Sequence, residues 1–156
     1  MDDYLEQILH LIEEKGYARP VDVSKRLGIS QASVTNMLQR LDSEGLVKHE
    51  KYRGTVLTDE GQRIAQAIID RHELLTEFLR LFKIDEDTIY RDVEGMEHHV
   101  SRATLRALRA VTETLRESAD FRERVLKKLE DEERRAEGEA AAKATSQRII
   151  AESETP

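Results

Sequence analysis

Three helical segments followed by two short strand-like runs constrain the first 57 residues more than any other feature of the sequence. The segments DDYLEQILHLIEEKG, PVDVSKRLG and SQASVTNMLQRLDSEGL each place apolar residues on one helical face. Gly16 suits the end of the first helix, and Ser30 suits the N-cap of the third. The next segment, LVKHEKYRGTVLT, has two strand-like runs around an Arg-Gly pair, which indicates a hairpin. This order predicts a winged helix-turn-helix with a small β-hairpin wing.

The rest of the chain is predicted to be helical. A long helix runs from Thr58 to about Lys83, and at about 1.5 Å per residue it spans roughly 37 Å, enough to leave one domain and enter another. The segments DEDTIYRDVEGMEHHVS and SRATLRALRAVTETLRESA predict a fifth and a sixth helix, and a charged helix follows to about residue 135. The fold class is therefore mainly α.

Thr58 is the predicted N-cap of the long helix. A capping box would place Glu or Gln three residues later, but Gly61 stands there, so the box is incomplete. We expect a winged-helix domain over residues 1–62 and a helical domain over 63–137, linked by the long helix 58–83. Residues 138–156 begin with small and polar residues, and a flexible or frayed tail without a site is expected there.

Composition excludes several classes of protein. The chain has no cysteine, which rules out a disulfide scaffold and any thiolate metal site. It has no apolar run of about 18 residues and no N-terminal signal pattern, so we expect a cytoplasmic protein without a membrane segment. A charged fraction of 37% with two prolines favours long, solvent-exposed helices over a sheet.

Charge is distributed unevenly along the chain. The segment from Arg19 to Arg53 holds seven basic and four acidic residues, so it carries +3 while the rest of the chain carries −10. In a winged helix the third helix enters the major groove of double-stranded DNA and the wing contacts phosphates. The candidate DNA contacts are Gln31, Ser33, Thr35, Asn36, Gln39 and Arg40 on the helix, and Lys48, Lys51, Tyr52 and Arg53 on the wing. The alternative is a solvated helix and an ordinary basic hairpin.

The segment DVEGMEHHV crowds two glutamates and two histidines into the fifth helix. At about 100° per residue, Ile89, Val93, Met96 and Val100 form the core stripe of this helix. An adjoining stripe holds Glu94, Glu97 and His98, whereas His99 lies on the other side of the core. Asp3 and Glu6 flank the apolar face of the first helix in the same way, and His72 points inward from the long helix.

Packing these helices together would bury four carboxylates, which is costly unless a cation joins them. Four carboxylates and two imidazoles form an oxygen-rich ligand set without sulfur, which suits Mn²⁺ or Fe²⁺ better than tetrahedral Zn²⁺. Two divalent ions per protomer would balance the four negative charges. The alternative for each residue is a solvated helix face or a histidine satisfied within the core.

At these residues the sequence resembles the manganese-responsive members of the diphtheria toxin repressor family. The resemblance covers roughly residues 1–135 and rests on DYLEQI, LIEEKGYAR, SVTNMLQRLD, EKYRG, RHELL and DVEGMEHH in order and spacing. It implies an all-helical dimerisation domain after the winged helix and a homodimer that binds a palindromic operator when Mn²⁺ is present. It also implies that the chain represses manganese uptake genes and is not an enzyme.

The resemblance assigns the ligands of a binuclear metal site to Asp3, Glu6, His72, Glu94, Glu97 and His98, with a main-chain carbonyl beside Glu97 as a further donor. Gly95 belongs to the same motif, and we expect its missing side chain to let the first helix approach. Fe²⁺ and other divalent ions are alternatives to Mn²⁺. Iron-responsive relatives use a thioether and a thiol where Asp3 and Glu97 stand, and this chain has neither sulfur ligand at those positions.

Two other classes of protein are compatible with parts of the pattern. A dinuclear metallohydrolase would need an open coordination position and substrate-holding groups, and the sequence shows neither a nucleophile motif nor a phosphate-binding loop. A winged helix controlled by an organic ligand or a protein partner would leave the acidic cluster as mere surface. We expect no small organic ligand, and DNA binding that does not respond to a chelator would favour this last class.

Overall fold

The computed structural model describes the backbone of residues 1–51 and 54–153, and the side chains of these residues up to 140 together with Lys143. In order along the chain, the elements are α1 (Asp2–Lys15), α2 (Pro20–Leu27), α3 (Gln31–Ser43), β1 (Val47–Glu50), β2 (Gly54–Leu57), α4 (Asp59–Arg80), α5 (Glu86–Glu97), α6 (Arg102–Glu117) and α7 (Ala119–Ser153). Three helices followed by an antiparallel hairpin confirm the predicted winged helix-turn-helix, and the mainly α fold class is confirmed as well.

The chain forms two compact units, of which the first comprises Met1–Thr76 and Val93–His99. Its core is built from the apolar faces that the helical periodicity predicts. The fully buried side chains at the centre of this core are Leu5, Ile8, Leu11, Val23, Val34 and Leu41. Strand β1 pairs with β2 so that Val47 lies opposite Leu57 and Glu50 lies opposite Gly54.

Local chain geometry in the first unit follows the predicted caps. Gly16 closes α1 with φ of 77°, a left-handed conformation that suits glycine. The Oγ atom of Ser30 accepts a hydrogen bond from the Ser33 backbone N–H at 3.2 Å, which confirms Ser30 as the N-cap of α3. The backbone N–H of Thr55 donates to the carbonyl of Ala18 at 2.8 Å and so ties the hairpin to the segment between α1 and α2.

The structure explains the incomplete capping box at the start of α4. The Thr58 hydroxyl accepts a hydrogen bond from the Gly61 N–H at 3.1 Å and donates to the Gly45 carbonyl at 2.7 Å. The Thr58 N–H donates to the Leu46 carbonyl at 3.0 Å, which draws the turn after α3 onto the first turn of the helix. A Cβ atom at Gly61 would overlap the carbonyl oxygen of Leu46, so no residue with a side chain fits there.

The second unit comprises Glu77–Asp92 and the chain from Val100 onward. Helix α6 buries Thr112 and Leu115, each 2% exposed. The Arg80 guanidinium donates two hydrogen bonds to the Glu86 carboxylate, at 2.8 and 2.7 Å, and links the end of α4 to the start of α5. These hydrogen bonds hold the pKa of the Glu86 carboxyl below its ordinary value.

Helix ends differ from the sequence-based expectation at three places. Helix α4 ends at Arg80 instead of about residue 83, and α5 ends at Glu97, so His98 follows the helix. The chain beyond residue 137, where we expected a flexible or frayed tail, is helical as far as Ser153. The reason is composition, because the segment EAAAKA consists of residues with high intrinsic helix propensity.

Within the described part of the chain, none of the helices has both the length and the apolar character that a membrane span requires.

Candidate metal centre and nucleic-acid interface

Helix α5 holds the centre of the candidate metal site in its last turn. Ile89 and Val93 are buried, as the predicted core stripe requires. Glu97 is only 7% exposed, although a carboxylate is rarely buried without a partner. Glu94 lies one turn earlier on the same helix and is exposed. One face of α5 therefore offers one buried and one exposed carboxylate.

His72 of α4 completes a three-residue cluster with these glutamates. Its Nδ1 atom lies 3.1 Å from Oε2 of Glu97. His72, Glu94 and Glu97 each offer one ligand atom, and these atoms all lie within 4.8 Å of one another. A cation placed among such atoms can be coordinated by all three residues at once. The structure therefore brings together three of the six predicted metal ligands, from two helices.

The other three predicted ligands lie outside this cluster. His98 is closest by contact, because its Nε2 atom lies 3.7 Å from Oε1 of Glu97. Asp3 is exposed on α1. Glu6, also on α1, is half-buried and has its Oε1 atom 3.6 Å from Nε2 of His10. One oxygen of the Glu6 carboxylate therefore lies beside His10 and not in the cluster.

The cluster fits a divalent cation of intermediate hardness. Its donors are carboxylate oxygens and an imidazole nitrogen, without sulfur, which is the ligand chemistry of Mn²⁺ and Fe²⁺. The buried Glu97 carboxylate contacts the imidazoles of His72 and His98, and a carboxylate oxygen of Glu94 lies within 4.8 Å of it, so a divalent cation would offset the charge of both carboxylates. His99, which helical geometry excludes from the site, is exposed and is not part of the cluster.

The expected reason for Gly95 is wrong. We expected its missing side chain to let α1 approach, but a Cβ atom at this position would meet no described atom within 4 Å. Close packing therefore does not explain the glycine, and the structure offers no other account of it.

One contact near the site was not singled out from the sequence. Arg71 precedes His72 on α4, and its Nη2 atom donates a hydrogen bond to Oδ2 of Asp2 on α1 at 3.1 Å. The two residues are 69 positions apart, and nothing in the local sequence pattern connects them.

Helix α3 presents the candidate DNA-reading face. All six predicted residues of this helix are exposed, but three of them already make side-chain hydrogen bonds within the helix and its cap. Ser33 contacts Ser30, Thr35 donates to the Gln31 carbonyl, and Arg40 pairs with Glu44 at 2.9 Å. Within the described part of the chain, the side-chain amides of Gln31, Asn36 and Gln39 make no hydrogen bond, so they are available to base edges.

The wing supplies positive charge beside this face. Lys48 is exposed on β1, and its Nζ atom lies 3.4 Å from Oε1 of Glu50. Lys51 is exposed in the turn that follows. Tyr52 and Arg53, the other two predicted wing contacts, lie outside the described residues.

Together the winged helix and the metal cluster define a DNA-binding transcriptional regulator that responds to a metal, and not an enzyme. Comparison with known protein families agrees with this class. Residues 1–55 match the family described as "Iron dependent repressor, N-terminal DNA binding domain", and residues 58–125 match "Iron dependent repressor, metal binding and dimerisation domain". The chain belongs to this family of repressors, which confirms the resemblance that the sequence motifs indicate.

Several relatives cover most of the chain. It is 47% identical over 137 residues to the HTH-type transcriptional regulator MntR of Geobacillus kaustophilus, which covers 88% of the chain and 94% of that protein. It is 54% identical over 101 residues to the protein of the same name from Bacillus subtilis, which covers 65% of the chain and 71% of the relative.

Solved structures share the fold. The manganese regulator SloR matches with a TM-score of 0.64 at 28% identity, over 72% of the chain and 53% of SloR. A structure described as a manganese-dependent transcriptional repressor complex with manganese matches with a TM-score of 0.60 at 28% identity, over 72% of the chain and 52% of that protein. The chain thus spans about half the length of these solved proteins.

Proposed function

We propose that the chain is a Mn²⁺-activated repressor that controls manganese uptake and homeostasis. The observation that carries the proposal is the cluster of His72, Glu94 and Glu97, which places a buried carboxylate within 4.8 Å of a second carboxylate and an imidazole. Relatives named as manganese regulators support Mn²⁺ as the ion. Because the ligand set has no sulfur, it favours Mn²⁺ over the iron-responsive alternative within the family.

The proposed ligands are the six residues that the sequence indicates: Asp3, Glu6, His72, Glu94, Glu97 and His98. Four carboxylates carry four negative charges, which two divalent ions would balance, so we propose two ions per protomer. Bound ions supply the positive charge that offsets these carboxylates. His98 can join the cluster by a small side-chain movement, since it already lies beside Glu97. The Glu6 carboxylate would have to turn away from His10 to join the cluster.

In the metal-free protein, repulsion among these carboxylates opposes the packing of the Asp3 and Glu6 side of α1 against α4 and α5. We assign residues 1–62 to DNA binding, 63–137 to metal binding and dimerisation, and 138–156 to a C-terminal extension. In the homodimer, loosely held DNA-binding domains sample many separations of their two α3 helices. Fixing α1 selects the separation that matches two half-sites of a palindromic operator. Such a protein acts where the DNA is, in the cytoplasm.

The size of the effect sets a requirement on the metal. The two states are the many separations of the α3 helices and the one separation that matches the operator. Moving the equilibrium between them from 1:99 to 99:1 requires that the metal bind the favoured state about 10⁴-fold more tightly. A single ligand can shift the equilibrium only by its difference in affinity for the two arrangements. Ligands from α1 provide that difference. In the domain assignment given above, α1 belongs to the DNA-binding domain, whereas His72 and the glutamates of α5 belong to the metal-binding domain.

Saturable Mn²⁺ binding is the first expected result. Calorimetry on chelator-stripped protein should give about two Mn²⁺ ions per protomer, and electron paramagnetic resonance should show that the two ions are magnetically coupled. DNA binding in a gel-shift assay should require Mn²⁺ and disappear when a chelator is added. DNA binding that ignores the chelator would contradict the proposed function and favour a winged helix with a different signal.

Asn36→Ala is expected to weaken binding to the operator by about 10- to 100-fold, because one good side-chain contact to a base edge contributes roughly 1–3 kcal/mol. Binding to random DNA should change little, since Asn36 reads bases and not phosphates. Fluorescence anisotropy with both DNAs measures the two affinities. Gln62→Ala, on the exposed face of α4, is the matched control and should leave both unchanged. Equal weakening on both DNAs would show that Asn36 contacts only the backbone.

A further inference from the structure

The Arg71–Asp2 ion pair connects α1 and α4, two of the three helices that carry the proposed metal ligands in the first unit. Arg71 immediately precedes His72 on α4, and Asp2 immediately precedes Asp3 on α1. The Nη2 atom of Arg71 lies 3.1 Å from Oδ2 of Asp2. Both side chains are partly withdrawn from solvent, with 20% and 35% of their surfaces exposed. The pair is therefore screened less by salt than a fully exposed pair would be.

Asp2 holds the Arg71 guanidinium in an otherwise unfavourable position. The Nε atom of Arg71 is buried and has no hydrogen-bond partner in the described part of the chain. A buried donor without a partner is destabilising, so the group would leave this position if nothing else held it. Among the described residues, Asp2 is the one partner with which the Arg71 side chain forms a hydrogen bond or an ion pair. Removing Asp2 would leave the guanidinium without any such partner.

The first turn of α1 has few other polar contacts, although Leu5 is fully buried and Tyr4 packs against the core. Met1 is the N-cap residue and makes no side-chain capping hydrogen bond. The first backbone hydrogen bond, from the Leu5 N–H to the Met1 carbonyl, is long at 3.3 Å. Helix ends without a cap fray readily, because their first N–H groups have no partner within the helix. Asp3, a proposed metal ligand, lies in this turn.

We propose that the Arg71–Asp2 ion pair is a tether that holds the first turn of α1 against α4 before the metal binds. Arg71 and Asp2 are positioning residues and not metal ligands. By holding the turn that carries Asp3 against the helix that carries His72, they reduce the order that has to be created when Mn²⁺ is bound. The inference rests on the proposed function, because it concerns the assembly of that same metal site.

A tether and a simple charge effect predict opposite results for Arg71. A cation beside a metal site repels Mn²⁺, so if only charge mattered, Arg71→Gln would tighten Mn²⁺ binding and Asp2→Asn would weaken it. If the pair positions α1, both substitutions weaken binding to the same extent. The double variant is then no weaker than either single variant, since the second substitution has nothing left to break.

The experiment compares Mn²⁺ affinity, by calorimetry, in the wild-type protein, Arg71→Gln, Asp2→Asn and the double variant. Each single variant is expected to bind about tenfold more weakly, as is common when a residue that orients a ligand is lost. The double variant should also be about tenfold weaker. Asp2→Glu keeps the charge and should restore nearly wild-type affinity. Arg63→Gln removes an arginine that pairs with Glu60 elsewhere on α4, and this matched control should bind Mn²⁺ as the wild-type protein does.

Amide hydrogen exchange in the metal-free protein gives a second readout that does not depend on Mn²⁺. Exchange of the Leu5 amide, whose N–H bonds to the Met1 carbonyl across the first turn of α1, should be faster in both single variants and unchanged in Arg63→Gln. Tighter Mn²⁺ binding by Arg71→Gln, unchanged affinity, or a roughly 100-fold additive loss in the double variant would each overturn the tether. If the wild-type protein itself binds no Mn²⁺, the proposed function fails, and the exchange rates then decide alone whether the tether exists.

Discussion

Glu97→Ala is expected to abolish the response to Mn²⁺ while leaving a folded homodimer. Glu97 is the buried member of the cluster and contacts both His72, at 3.1 Å, and His98, at 3.7 Å, so its carboxylate joins most of the site. Loss of a residue that only orients a metal ligand costs about 10- to 100-fold in affinity, and loss of a ligand should cost at least as much. Calorimetry should therefore show no saturable Mn²⁺ binding, and gel shifts with and without Mn²⁺ should look alike.

Thermal unfolding separates this outcome from misfolding. For the wild-type protein, Mn²⁺ at 100 times its dissociation constant should add about 2.7 kcal/mol to the free energy of unfolding. Glu97→Ala should gain nothing from Mn²⁺. Without metal, its free energy of unfolding should stay close to that of the wild-type protein, because the substitution removes a buried carboxylate but also the hydrogen bond of that carboxylate with His72.

The matched control for Glu97→Ala is Glu73→Ala. Glu73 follows His72 on α4 and is exposed, so the substitution removes one negative charge without touching the cluster. This variant should keep both Mn²⁺ binding and Mn²⁺-dependent DNA binding. If Glu97→Ala still needs Mn²⁺ to bind DNA, the assignment of Glu97 as a ligand is wrong.

The parts of the structure that the sequence predicts are those that depend on local periodicity. The buried side chains Leu5, Ile8 and Val34 follow from apolar residues recurring at helical spacing, and the Ser30 cap follows from its position before α3. The cluster of His72, Glu94 and Glu97 follows from the same geometry, because each residue lies beside or on the apolar face of its helix. Two packed helices suffice to bring these three together.

Contacts that depend on the placement of distant helices were not predictable in this way. The periodicity of α1 places Asp3 and Glu6 beside its apolar face, but it does not reveal that Glu6 turns toward His10. The Arg71–Asp2 pair joins residues 69 positions apart and has no local signature. The C-terminal segment EAAAKA has high intrinsic helix propensity, and α7 continues to Ser153, where we expected a frayed tail.

The glycine at position 61 is explained by tertiary packing and not by the local sequence. The incomplete capping box is visible in the sequence, but its cause lies in the turn after α3. In that turn, the Leu46 carbonyl packs against the first turn of α4. It accepts a hydrogen bond from the Thr58 N–H at 3.0 Å. A glutamate at the third position would complete the box but could not occupy this space.

Gly61→Ala is therefore expected to destabilise the protein, although alanine in place of glycine normally stabilises a helix by about 1 kcal/mol. The added Cβ atom would overlap the carbonyl oxygen of Leu46, which is backbone and cannot rotate away. Such overpacking costs about 1–3 kcal/mol, and in a chain of this size a net loss of that order lowers Tm by roughly 5–10 °C. Thermal unfolding followed by circular dichroism measures the change in metal-free protein.

Gly138→Ala is the matched control for this substitution, because Gly138 is also helical and a Cβ atom there meets no described atom within 4 Å. This variant should be as stable as the wild-type protein or slightly more so. Opposite signs for the two glycines would locate the cost of Gly61→Ala in packing against Leu46 and not in helix propensity. If Gly61→Ala instead unfolds at the wild-type temperature or above, the turn after α3 can move away from α4. That turn would then be held to the long helix less tightly than the hydrogen bonds of Thr58 indicate.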